Sequence, residues 1–306
     1  MEALAQLIAA ALNAGTPLLL AATGILICER SGVVNLGIEG MMLVAAVVGF
    51  ATVHATGSYG LGFVAGAGVG MLLAGMFALL ALGLHTNQHA TGLALALFGA
   101  GLSAFIGLPY SGESLPARAP DGLGALADIP LLGPMLFGYH AMVYLSWLLV
   151  ALVWWFLFRT RGGLVLRAVG ESPASAQALG YPVRLIRLAA VLFGGACAGL
   201  AGAYLSTVYT PLWAEGMVAG RGWIALALVV FATWRPARLV AGAYLFGGVS
   251  MLQLNLQGAG VQIPSQWLSM TPYVATIVVL ALISRNPRWI RLNMPASLGK
   301  PFNPNG

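Results

Sequence analysis

Apolar runs of about 20 residues recur along this chain, and no other feature constrains its fold as strongly. A helix rises about 1.5 Å per residue, so about 20 such residues cross the roughly 30 Å hydrocarbon core of a bilayer. Runs of this kind cover residues 4–27, 33–54, 59–84, 90–108, 140–158, 188–210, 239–256 and 269–284. A shorter run at 222–234 reaches only about 20 Å, which predicts a half-helix with ends buried in protein. In lipid every backbone polar group must be satisfied within the protein, and segments of this length do so as helices. The expectation is an all-α integral membrane protein, a polytopic bundle of about nine helices (eight to ten), some discontinuous, in a single transmembrane domain over 1–306. Composition agrees, with 59% hydrophobic and 7% charged residues against about 25% charged in a soluble domain. The first run is neither preceded by a basic segment nor followed by a cleavage site, so it is expected to be a retained span.

The net charge is +6, but the basic residues punctuate the apolar runs and form no stripe interleaved with aromatics. That pattern argues for membrane lipid as the surrounding partner and against nucleic acid. Lys/Arg bias in short loops reports topology. If the 159–187 loop is cytoplasmic, only Arg118 and Arg221 of the 14 basic residues fall outside. This asymmetry predicts an external N-terminus and a cytoplasmic C-terminal tail, 285–306. The external (periplasmic) loop, 109–138, carries Glu113, Asp121, Asp128 and several prolines and reads as an irregular connector.

Two polar residues stand out in the second run, "SGVVNLGIEGMML". A carboxylate at membrane depth costs at least about 2.5 kcal/mol, so Glu39 marks a functional site by default. On a continuous helix Asn35 and Glu39 share a face, thinned by Gly32, Gly37 and Gly40. Either this face lines a solute path, or Glu39 is an anchor. An anchoring Glu39 would bond backbone freed at a broken helix, or pair with Arg30 or Arg221. Asn87 and Gln88 are further candidates for the path, while Trp213 and Trp223 offer either stacking surfaces or interfacial anchors.

Enzymatic signatures are lacking. His85 and His89 have the i, i+4 spacing of a helical metal pair, but no third ligand lies nearby, and the helix-end loop "HTNQHATG" explains them equally well. Cys28 and Cys197 lie in apolar segments without CxxC spacing, as packing residues do. No GxSxG, HExxH or Walker A sequence occurs. The loop at 159–187 carries a sharper signal. Ser172 is a good N-cap, Pro173 suits the first helical turn, and Gly180 suits the position after the last. The bounded helix between them, "PASAQAL", has only a weak apolar face. It favours docking into a protein groove over lying on headgroups.

Four stretches together carry a family likeness: "SGVVNLGIEGMML", "TRGGLVLRAVGESPASAQALG", "GRGWIALALVVFATWRP…GAYLFGG" and "PYVATIVVLAL". In this order, from about residue 15 to about residue 285, they resemble the permease subunits of bacterial ABC importers for nucleosides and simple sugars. These belong to the wider group that includes ribose and branched-chain amino-acid permeases. The resemblance implies a transport subunit of the inner membrane with no cofactor of its own, the ATP and Mg²⁺ belonging to a separate cytoplasmic ABC ATPase. It implies a second permease subunit, a homologue or a copy of this chain, and an extracytoplasmic substrate-binding protein that supplies most selectivity. By the same resemblance, Glu171, Pro173, Ala176 and Gly180 shape or contact the ATPase through a coupling helix. The chain departs from the pattern at "ATW" (232–234), where relatives commonly show GNW or GKW, and at His89. A secondary transporter using Glu39 for ion coupling is the alternative, and a membrane-embedded enzyme a weaker third reading.

Overall fold

In a computed structural model the described residues are 2–116, 137–258 and 293–303, with isolated positions between 267 and 281. Among them are ten α-helices and no strand. Expectations for residues 117–136 of the external loop, for most of the 269–284 run and for 285–292 lie outside the described residues.

Six described helices, three of them extended by a π- or 3₁₀-turn, are long and apolar enough to cross a membrane. They are α1 (Glu2–Arg30), α2 (Ile38–Thr56), α3 (Tyr59–Ala78), α4 (Gln88–Gly107), α5 (Ala141–Arg159) and α8 (Val183–Tyr204). Between α5 and α8 lie α6 (Arg161–Glu171) and the one-and-a-half-turn α7 (Pro173–Ala178); α9 (Arg221–Phe231) and α10 (Pro236–Gly258) follow. The 22-residue α8 and the 23-residue α10 each extend over more than 30 Å at about 1.5 Å per residue.

Helix α1 is the buried spine, with Leu18 to Ala22 and Ile25 to Cys28 almost wholly enclosed by α8, α10, α9 and α5. On the other side of α8 stand α2 and α3. The α3–α8 crossing is backbone to backbone: a Cβ on Gly70 would lie 2.2 Å from the Gly195 carbonyl oxygen, and one on Gly199 2.1 Å from that of Gly66. Lipid supplies no hydrophobic drive between helices, so such close approach and interhelical hydrogen bonds hold the bundle. Ser206 donates to the Ala46 carbonyl at 2.7 Å, and Ser103 to that of Leu43 at 2.9 Å. Outward-facing Val64, Leu72, Leu97, Phe105 and Trp155 on α3 to α5 are exposed, as suits a hydrocarbon-facing surface.

Candidate functional site

Helix α9 has 11 residues, about 16 Å, half of a bilayer core. Its C-terminal end is fixed at the basic end of the bundle, where the Trp234 carbonyl accepts from Arg30 at 2.7 Å and the Trp234 indole donates to Glu29 at 2.6 Å. Its N-terminus lies about 16 Å from that end, half the thickness of a bilayer core, and the first backbone N–H groups of a helix have no partner within it. Glu39 supplies that partner. Its two carboxylate oxygens accept from the backbone N–H of Gly220 at 2.8 Å and of Gly222 at 2.7 Å.

The clasp explains how a carboxylate is accommodated in this apolar run. Glu39 sits in the first turn of α2 and against the first turn of α9, so the positive ends of two helix dipoles converge on it. Gly220 enters α9 with φ +81, a left-handed conformation that favours glycine. At Gly222 any Cβ would lie 2.6 Å from the Glu39 carboxylate. Arg221, a candidate ion-pair partner, turns elsewhere: it donates to the Met217 and Val218 carbonyls and stacks over Tyr209, 5.7 Å from the ring centre. Arg30, the other candidate, donates to the Trp234 and Asn293 carbonyls.

Asn35 does not share a helix with Glu39. Helix α2 begins only at Ile38, because the Asn35 side chain accepts from the Gly37 N–H at 2.9 Å and closes a turn that breaks the run. The residues from Val33 to Asn35 are without regular structure, and Gln88 holds them by accepting from the Val34 N–H at 2.9 Å. Asn87 caps α4, accepting from the N–H groups of His89 and Ala90 at 2.9 and 3.1 Å. The polar groups of the expected solute path thus meet backbone N–H groups left free at helix starts and in the irregular connection before α2.

The departure at 232–234 has a structural counterpart. Thr233 and Trp234 adopt φ of 49° and 53°, so the bend into α10 uses left-handed backbone without glycine, at a cost of order 1–3 kcal/mol for each such residue. It is held by Arg238 donating to the Thr233 hydroxyl at 2.6 Å and by the Trp234 contacts above.

At the same basic end, α6 and α7 form a hairpin. Ser172 ends α6, its N–H donating to Ala168, and starts α7, its hydroxyl accepting from Ser175 at 3.3 Å. Pro173 occupies the first turn, and Gly180 follows with φ +86. Ala176 faces inward, packing with Val169 and Val183, so it shapes the seat of α7 and is not part of its outer surface. Just past its C-terminal end stand Leu179, 78% exposed, and Tyr181, 42% exposed. Glu171 accepts from the Ala296 N–H at 3.4 Å.

A bundle with a clasped half-helix and a capped hairpin invites comparison with known proteins. The family model of the permease component of branched-chain amino acid transport systems matches residues 7–283. The chain belongs to this permease family. Among its relatives, a permease of Haloferax volcanii provisionally assigned to glucose ABC transport is 44% identical over 325 aligned positions, covering 99% of each chain. The nucleoside ABC transporter permease NupC of Lactococcus lactis is 33% identical over 87% of this chain and 88% of its own. The guanosine permease NupQ of Bacillus subtilis is 30% identical over 92% of each. No solved structure gives a significant match. The chain is thus a multi-pass permease subunit of an ABC importer, not itself an enzyme, and membership decides against the secondary-transporter and membrane-enzyme readings.

Several residues of this permease escape a reading of the sequence alone. Gly220 and Gly222 stand in "GRGW", but their role is a backbone donation to a residue some 180 positions earlier. Glu29 and Arg187 sit at run ends, where charge is read as topology, and Trp234 closes an apolar run as an interfacial aromatic would. Helix α6 lies in the stretch that reads from sequence as a cytoplasmic loop; its signal is Thr160, whose hydroxyl accepts from the Gly163 N–H at 3.0 Å.

Proposed function

We propose that this permease imports a neutral, sugar-bearing solute, a nucleoside or a simple sugar, across the inner membrane with its N-terminus outside and its C-terminal tail in the cytoplasm. The kinship to nucleoside, guanosine and glucose permeases over nearly the whole chain carries the reading. The clasp supports it chemically. A half-helix N-terminus at membrane depth is a ready site for anionic solutes such as a carboxylate. Here Glu39 already accepts from Gly220 and Gly222, which favours an uncharged passenger over an amino acid.

The solute path runs between this subunit and a second permease, a homologue or another copy. The exposed α9 residues Trp223 and Val230 face it, and Trp223 offers an indole to a base or sugar ring. Asn35, Glu39, Asn87 and Gln88 shape the path by holding its backbone. A cytoplasmic ABC ATPase, carrying ATP and Mg²⁺, docks on the 159–187 hairpin, and an extracytoplasmic binding protein delivers the solute. Glu171, Pro173, Ala176 and Gly180 set the shape of α7, and Leu179 and Tyr181 supply its apolar contact. ATP drives transport only if the groove on the ATPase fits α7 differently in its two states.

Co-purification of the ATPase with Leu179→Arg tests the docking. The residue is exposed, so the permease folds and inserts normally, and the reading expects most of the ATPase to be lost. Full retention would remove the docking assignment.

A further inference from the structure

Residues 293–303 do not trail from the bundle; they are sewn into its basic end. The Ser297 hydroxyl donates to the Gly170 carbonyl of α6 at 2.6 Å and accepts from the Arg187 guanidinium of α8 at 3.0 Å. The Ser297 N–H also donates to Gly170, at 3.0 Å, and the Gly299 N–H to the Gly32 carbonyl at 3.1 Å. Gln88 approaches the Lys300 carbonyl at 3.5 Å. Phe302 packs against Val169, Ala176 and Val183 and lies under Arg187, 5.8 Å from the ring centre.

Arg187 is the hub. It is 1% exposed, and its partners among the described residues are the Ser297 hydroxyl and the carbonyls of Ser31 and Lys300, at 3.0, 3.1 and 3.5 Å. A buried guanidinium with donors in a fixed fork locks these oxygens into one arrangement. The tail therefore bridges two places with separate roles in the proposed transport. On one side Phe302 packs on the cluster of Val169, Ala176 and Val183, in which Ala176 is the inward face of α7. On the other, Gly299 and Gln88 hold Gly32 and Val34, the connection leading through Asn35 and Gly37 to Glu39 and its clasp on α9.

We propose that residues 293–303, organised by Arg187, transmit the displacement of α7 to the α1–α2 connection and so to the half-helix that borders the path. Arg187, Ser297 and Phe302 are positioning residues for coupled transport. Contiguous chains of packed side chains and hydrogen bonds between rigid elements carry coupling of this kind. The inference rests on α7 being the ATPase contact.

The test uses the whole transporter in proteoliposomes, with labelled adenosine and labelled glucose as probes. Phe302→Ala removes the link to α7 from a partly buried site, Arg187→Gln removes the hub, and Arg187→Lys returns the charge without the fork. For Phe302→Ala and Arg187→Gln the ATPase stays bound and hydrolyses ATP near the wild-type rate, while solute moved per ATP falls roughly tenfold; Arg187→Lys recovers part of it. Unchanged solute per ATP in Phe302→Ala overturns the proposal. So does a parallel loss of ATPase binding, hydrolysis and uptake in both variants, which would make the tail an assembly element only. Failure of the docking reading shows separately, as ATPase retained by Leu179→Arg.

Discussion

Glu39→Gln isolates the charge of the clasp with little change of shape. The carboxylate accepts two backbone N–H groups at 2.8 and 2.7 Å. A hydrogen bond to a charged group contributes about 1.5–3 kcal/mol, and a buried donor left without a partner costs about 1–3 kcal/mol. Glutamine keeps one acceptor oxygen but turns its NH₂ toward the other N–H, so one bond is lost and two donors face each other. The opposing helix dipoles also lose the anion between them. The sum is about 3 kcal/mol, a roughly hundredfold shift toward an unclasped α9. Hydrogen exchange read by mass spectrometry on the purified transporter would show it as faster exchange across residues 214–224, with a lower unfolding temperature. Equal exchange and equal thermal stability in Glu39→Gln and wild type would refute the clasp.

Two further substitutions probe the same construction. Gly222→Ala places a methyl 2.6 Å from the Glu39 carboxylate and 2.7 Å from its Cα; overpacking of about 1–3 kcal/mol is expected, seen as a lower unfolding temperature with the charge intact. Trp234→Phe leaves Glu29, 4% exposed, without its indole donor, and costs about 1–3 kcal/mol in the same melting assay, with faster exchange at the α9 to α10 bend.

What the sequence reveals divides along physical lines. The long spans are legible because lipid imposes length and apolarity on each segment independently, and the run at 222–234 is short enough to betray a half-helix. The Ser172, Pro173 and Gly180 punctuation of α7 is legible because capping acts within a turn. Glu39 is visible as costly, yet its partners are not, since they are main-chain N–H groups that leave no mark of residue type. Asn35 misleads for a local reason: its side chain competes with the helix for the Gly37 N–H, and the apolar run gives no hint of that. Ala176 is small enough for either a contact surface or an interior, and only the packing of Val169 and Val183 decides it. The tail looks like a basic, Pro-rich terminus because its anchors are mostly backbone N–H and carbonyl groups, with one serine and one phenylalanine among them.

The most direct measurement of the central claim is uptake of labelled adenosine, uridine and glucose by cells carrying this permease with its partner subunits, beside cells whose ATPase cannot hydrolyse ATP. The account predicts uptake of a nucleoside or sugar that disappears with the inactive ATPase. Uptake that persists without hydrolysis, or transport of none of these neutral solutes by a complex whose ATPase remains active and bound, would contradict it.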